Sequence, residues 1–263
     1  MAEASTDQSV VGYEVERGVA WIRLNRPERM NAVNGDLRRG LVDAVRRADR
    51  DDGARVVVVT GAGRAFCAGA DVREFGNREG AVEDIRGEYE FLLGRLHAMP
   101  KPTIAAMNGV AAGIGASLAL SCDIRYAVPE ASFVEAFVKI GLTVDGGASW
   151  LLPRLIGTGK ALEMCYTGDP LGAEEAARLG LVNRVLEPAE LEPFVRQLAE
   201  RLAAGPTKAL GAIKRSVAYS MQATLEEAME FEFHLQAAQM RNEDHREGVT
   251  AFLEKRQPRF QGR

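Results

Sequence analysis

The sequence predicts an α/β fold, and three observations carry that expectation. Twice an apolar run enters a glycine-rich turn: Val56-Val-Val-Val59 before Gly61-Ala-Gly63, and Thr103 to Met107 before Asn108-Gly-Val-Ala-Ala-Gly-Ile-Gly115. Each turn is expected to lead into a helix, the first beginning near Ala70 and the second spanning Ala116 to Cys122. From about Glu190 onwards the pattern is helical. Strand, turn and helix that recur in this way point to alternating α/β layers.

The elements follow in order. The first ten residues read as a loose tail. Val11 to Val15 and Val19 to Leu24 are rich in β-branched residues and read as two strands turning at Glu16-Arg-Gly18. Gly35 to Arg50 is an amphipathic helix with Leu37, Leu41, Val42, Val45 and Ala48 on one stripe, stopping at Asp52-Gly53. Arg55 to Thr60 is a strand. Pro100 and Pro102 bracket a break before the strand Thr103 to Met107, and Ile124 to Ala127 and Ser132 to Phe133 read as further strands. Thr224-Leu-Glu-Glu227 and Asp244-His-Arg-Glu247 have capping-box spacing at helix starts. No Pro-, Gly- or Ser-rich linker divides the chain, so residues 201–263 are expected to form a helical appendage on a core of residues 1–200.

Composition narrows the function. Of 263 residues, 46% are hydrophobic and 27% charged, and 33 basic against 37 acidic residues leave a net charge of −4. That balance argues against nucleic acid or an anionic membrane as partner. Met1 to Val10 lacks the pattern of a secretory signal, and the longest apolar stretch, Val110 to Leu120, is too short to span a bilayer. Cys67, Cys122 and Cys165 form no metal-type pair, so no metal site is expected and a reduced, cytoplasmic setting is.

Small residues at the glycine turns let backbone N–H groups approach a phosphate or an oxyanion. A dinucleotide fingerprint fails at both, because Phe66 and Leu118 stand where the third glycine belongs. Gly159-Lys160 lacks the leading glycine and the Ser/Thr of a phosphate loop. There is no Gly-x-Ser-x-Gly, and His97, His234 and His245 have no triad partners nearby in sequence, so they read as surface or packing residues. Either turn alone is more often a simple tight connection than a site. Together, at equivalent points of two strand–helix units, they can aim two N–H groups at one carbonyl oxygen. Each such donor is worth about 3 kcal/mol once negative charge develops there.

Phe66-Cys-Ala-Gly-Ala-Asp71, Lys101-Pro-Thr-Ile-Ala-Ala-Met-Asn-Gly109 and Cys122-Asp123 resemble the crotonase, or enoyl-CoA hydratase/isomerase, superfamily. Asn25-Arg-Pro27 with Asn31-Ala32, Thr167-Gly168, Ala173 to Ala176, Gly180-Leu-Val182 and Ala251-Phe-Leu-Glu-Lys-Arg256 match it in family order. The resemblance implies a crotonase-type spiral of ββα repeats with a helical C-terminal trimerisation region, assembled as a homotrimer or homohexamer. It implies an acyl-CoA thioester as substrate and no separate cofactor, coenzyme A arriving as part of the substrate. By position it puts the oxyanion hole on the N–H groups of Ala68 and Ile114. It puts pantetheine and adenine contacts on Arg26, Arg29, Met30, Ala70, Asp71 and Val72, and nucleotide contacts on Phe252 and Lys255. Asp71 also reads as a first-turn helix acid and Lys255 as a solvated lysine.

The chain departs from the family's hydratases, whose two water-activating glutamates fall on Ser117 and Phe137. Phenylalanine transfers no proton, and serine without a neighbouring base is a poor donor. Asp145, in Ile140-Gly-Leu-Thr-Val-Asp-Gly-Gly-Ala-Ser-Trp150, precedes an apolar helix. It reads as an N-cap, as a general base in an apolar pocket, or as both, with Ser117, Phe137 and Trp150 about it. The segment resembles ring-epoxyphenylacetyl-CoA isomerases and related enoyl-CoA isomerases, which carry Asp at this position. Val144 replaces their usual Pro, and Ser117 their common Asn. Glu135 is the reserve candidate, its direction unsettled by alternation with Phe133 and Phe137. The expected activity is therefore an acyl-CoA isomerase, with a hydratase lacking the usual glutamates and a non-catalytic acyl-CoA binder as alternatives. Arg73 to Leu96, charged and with Gly76, Gly80 and Gly87, is expected to flank the pocket.

Overall fold

The computed structural model describes residues 9–74 and 81–262. Strands β1 (Val11–Glu16) and β2 (Val19–Leu24) pair antiparallel. Arg17 and Gly18 at their tip both take left-handed φ, at 49° and 81°, the turn geometry that matches strand twist. Helix α1 (Gly35–Arg50) is started by Asn34, whose side chain accepts the Leu37 N–H at 2.9 Å, and it buries the stripe read from sequence. Lys101 closes its far end, donating to the Ala48 and Asp51 carbonyls at 2.7 and 2.8 Å.

The chain then repeats one unit three times. Strands β3 (Val56–Gly61) and β4 (Ala65–Cys67) precede α2 (Ala81–Ala98). Strands β5 (Thr103–Met107) and β6 (Val110–Ala112) precede α3 (Ile114–Leu120). Strands β7 (Ile124–Ala127) and β8 (Ser132–Val134) precede a 3-10 turn at Ala136–Ile140 and then α4 (Ala148–Ile156). Beyond lie α5 (Thr158–Thr167), β9 (Leu171–Gly172), α6 (Ala173–Arg178), β10 (Arg184–Val185), α7 (Pro188–Ala203), α8 (Thr207–Ser220), α9 (Leu225–Gln239) and α10 (Glu243–Leu253).

Each repeat gives its first strand to one sheet and its second to another. The six-stranded sheet runs β1-β2-β3-β5-β7-β10 and the four-stranded one β4-β6-β8-β9, which is the ββα spiral. Strand β3 is buried along its whole length between β2 and β5, which explains a continuous valine run rather than alternation. The step between sheets demands glycine: a Cβ on Gly61 would lie 2.2 Å from the Ala65 carbonyl oxygen, and one on Gly109 2.1 Å from that of Arg64.

Two local expectations change. No helix begins near Ala70. Instead the Val33 N–H donates to the Gly69 carbonyl at 2.7 Å and the Asp71 N–H to the Val33 carbonyl at 2.9 Å, which holds Ala70 in an extended bridge. A single 3-10 turn, Val72–Glu74, follows. The capping box at Thr224 and Glu227 forms, but α10 is capped by Asn242 and not by Asp244. Asp244 is buried and instead accepts the N–H groups of Gln261 and Gly262 at 2.6 and 2.8 Å, tying down the C-terminal tail. Helix α7 begins at Pro188 and packs on β2, β3, β5 and β7. Among the described residues, no helix is long and apolar enough to cross a membrane.

Candidate active site

A cavity of about 1640 Å³ opens where the turns after β4 and β6 meet α2 and the loop before α4. Helix α2 lays one face along it, through Arg86, Tyr89, Glu90, Leu93, Gly94 and His97. The spacing is helical, yet charged, aromatic and apolar residues are mixed, so apolar periodicity alone gives no sign of this face. Residues 75–80 of the expected flank, with Gly76 and Gly80, lie outside the described residues.

The backbone donors differ from the sequence expectation at one position. The Ala68 N–H donates to the Met30 carbonyl at 2.9 Å and is unavailable to a ligand. Gly69 then takes a left-handed φ of 95°, which redirects the chain. The bridge to Val33 uses the Gly69 carbonyl and the Asp71 N–H, and leaves the Ala70 N–H without an acceptor among the described residues. Ile114 is the first residue of α3, so its N–H has no carbonyl one turn earlier in the helix, while the Gly113 N–H is taken by Val134 at 2.8 Å. Both Ala70 and Ile114 line the cavity, each with an N–H that no acceptor takes among the described residues.

Asp145 also lines the cavity. It is not an N-cap: α4 is capped by Gly147 with no side-chain hydrogen bond, and only the Asp145 backbone carbonyl engages the helix, through the Ala148 N–H at 3.1 Å. The carboxylate has no hydrogen-bond partner among the described residues, and partial burial raises its pKa above the usual carboxylate value.

Ser117 does not line the cavity. It is fully buried, and its hydroxyl donates to the Asp145 carbonyl at 3.0 Å. Gly146, at φ 60°, lies so close that a Cβ there would sit 2.6 Å from the Ser117 Cβ. The Asp145–Gly146 turn therefore packs directly on Ser117, leaving little room for a longer side chain at that position. Phe137 lines the cavity and its ring edge covers Gly113, 3.6 Å from where a Cβ would be. Trp150 forms part of the wall, with the Arg154 guanidinium 4.1 Å from its ring centre.

Glu135 faces inward. It has no exposed surface, neither carboxylate oxygen has a hydrogen-bond partner, and it does not reach the cavity lining. Burial, and secondarily the Asp145 charge, push its pKa up to about 7.

Of the expected coenzyme contacts, Ala70, Asp71 and Val72 line the cavity; Arg26, Arg29, Met30, Phe252 and Lys255 do not. Arg26 is turned inward, donating to the Ala32 carbonyl at 2.5 Å and lying 3.5 Å from Asp71. Asp71 is an ion-pair hub rather than a helix acid: Arg73 donates to it at 2.8 and 2.6 Å and holds its carboxyl down at about 2. Arg38, Arg39, Arg73 and Arg86 also line the cavity, each ion-paired, to Glu88, Asp36, Asp71 and Glu90 respectively. Sequence reading passed over Arg38 and Tyr89, which meet at 6.0 Å, because they come from separate helices. Among the described residues, no group of three or more His, Cys, Asp or Glu side chains is placed to hold a metal ion.

The family model described as enoyl-CoA hydratase/isomerase matches residues 14–263. The 1,2-epoxyphenylacetyl-CoA isomerase of Escherichia coli is 42% identical over 254 residues, covering 95% of this chain and 97% of that protein. The crotonyl-CoA hydratase of Syntrophomonas wolfei is 38% identical over 251 residues, covering 94% and 96%. The crystal structure of an enoyl-CoA hydratase from Bacillus anthracis superposes with a TM-score of 0.92 at 32% identity, covering 97% of this chain and all of that one. With its ββα spiral and a match across almost its whole length, the chain belongs to the enoyl-CoA hydratase/isomerase family and has the crotonase fold.

Proposed function

We propose that the protein is an acyl-CoA isomerase in which Asp145 moves a proton between two carbons of the acyl group. The observation that carries this reading is one unpartnered carboxylate of raised pKa on the same cavity as two unpaired N–H donors. The Ala70 and Ile114 N–H groups receive the thioester oxygen and stabilise the enolate formed when Asp145 takes a proton from an adjacent carbon. Asp145 then returns the proton to a second carbon, shifting a double bond or rearranging a ring. One carboxylate suffices, and an elevated pKa suits a group that must both accept and donate. No cofactor enters the scheme, since coenzyme A comes with the substrate, its phosphates toward the arginines.

Assembly belongs to the same proposal. Leu225, Phe233, Phe252 and Leu253 on α9 and α10 expose 66–83% of their surface, which suits burial against other copies in a homotrimer or homohexamer. Phe252 and Lys255 then meet a nucleotide only within that assembly. The free cysteines suit a cytoplasmic setting.

Two other readings compete. Relatives are named both isomerase and hydratase, so Asp145 positioning water is the second reading. A binding protein without turnover is the third. Incubating wild type and Asp145→Ala with 2-enoyl- and 3-enoyl-CoA in deuterated, oxygen-18 water separates all three by mass spectrometry. The isomerase gives double-bond migration with deuterium but no labelled oxygen, lost in the variant. Labelled oxygen in a 3-hydroxyacyl product refutes it in favour of the hydratase. Tight binding without turnover of these esters or of ring epoxides leaves the binder.

A further inference from the structure

Helix α2 runs beside the cavity from Arg86 to His97, eleven residue steps or about 16 Å of helix. Its two ends offer different chemistry. Arg86 carries an ion pair with Glu90, whereas His97, one turn beyond Leu93, meets Trp150. The His97 ring stands edge-on to Trp150, with centroids 5.8 Å apart and planes at 76°. Neither His97 ring nitrogen has a hydrogen-bond partner among the described residues.

We propose that this end of the cavity is a subsite for acyl groups bearing a distal hydroxyl or carbonyl oxygen, with His97 as the specificity-determining residue. The proposal rests on the acyl-CoA reading and adds the substrate class. Burial, reinforced by the nearby Lys214 charge, holds the imidazole below its ordinary pKa, so at neutral pH it is uncharged and offers one donor and one acceptor. Lys214 itself is engaged by Asp123 at 2.9 Å and by the Leu96 carbonyl at 2.8 Å, which leaves His97 to face the ligand. A wholly apolar tail packed here would strip water from both ring nitrogens and give nothing in return. An oxygen at the tail's end pairs with one of them while the Trp150 face covers the carbons beside it. Sites built to hydrogen-bond a hydroxyl discriminate strongly against analogues that lack it, because the protein group is then left unpaired.

The test uses saturated thioesters, which bind without reacting. Calorimetric titration compares hexanoyl-CoA with 6-hydroxyhexanoyl-CoA, and phenylacetyl-CoA with 4-hydroxyphenylacetyl-CoA, on wild type, His97→Phe and His97→Gln. In at least one pair the hydroxylated ester is expected to bind wild type as tightly as its parent or tighter. His97→Phe should weaken that ester by about tenfold or more while leaving the parent unchanged or tighter, and His97→Gln should keep the preference. Equal effects of His97→Phe on both members of each pair overturn the proposal. So does a wild type that binds both parents about tenfold more tightly than their hydroxylated partners. Failure of all four esters to bind wild type instead refutes the acyl-CoA reading itself.

Discussion

Glu135→Gln should make the protein less sensitive to pH, by an amount the buried carboxyl itself sets. An acid whose pKa rises from 4.5 to about 7 on folding binds its proton more tightly in the folded state. Its stability is complete below pH 4.5, falls as pH rises between 4.5 and 7, and is flat above that. At 1.36 kcal/mol per unit, the loss across this window is about 3 kcal/mol for one group. Glutamine has nearly the same volume and no charge. Its amide carries a desolvation cost of about 1–3 kcal/mol, but that cost is the same at every pH and drops out when two pH values are compared. Urea midpoints of wild type and Glu135→Gln are therefore measured at pH 5 and pH 8, at one fixed protein concentration because assembly contributes to stability. The variant should gain on wild type by about 2–3 kcal/mol between the two. If the two proteins keep a constant gap across the window, Glu135 is ionised in the folded state and has a partner that its bare surroundings do not account for. Part of the shift comes from the Asp145 charge, so the same comparison in an Asp145→Asn background should give a smaller gain.

Two further perturbations probe the site's scaffolding. Ser117→Ala removes the hydroxyl holding the Asp145 carbonyl at 3.0 Å, so kcat should fall roughly tenfold with about 1 kcal/mol of stability lost; an unchanged kcat would mean the turn is held without it. Asp71→Asn weakens the pairing with Arg73 and Arg26, so KM for acyl-CoA should rise with little change in kcat. The pKa of about 2 also fixes the sign with pH: Asp71's contribution to stability is present above its ordinary 3.8 and lost as pH falls through 2. A wild-type-to-variant stability gap that changes between pH 5 and 8 would contradict that assignment.

Much of this was readable from residues alone because it depends on local pattern. The β-branched run at Val56–Val59 and the stripe of α1 correspond to observed elements, the helix to the residue. The absence of glutamate at 117 and 137 is likewise a matter of residue identity. Where local pattern misled, a contact from far along the chain was responsible. Val33 holds Ala70 extended, and Met30 takes the Ala68 N–H. Asp244 has the spacing of a capping box, yet its carboxylate is claimed by the tail at Gln261 and Gly262.

The α/β repeat, the family and the short roll of polar groups from which a site could be built follow from the residues alone, because periodicity, glycine placement and residue chemistry are properties of the chain. Which of those groups are free to act depends on the folded arrangement. Asp145 is left unpaired while Gly147 caps its helix, Ser117 is turned from the cavity to the Asp145 carbonyl, and Glu135 is enclosed without a partner. Availability depends on which donors and acceptors are already taken, and those partners come from residues distant in sequence.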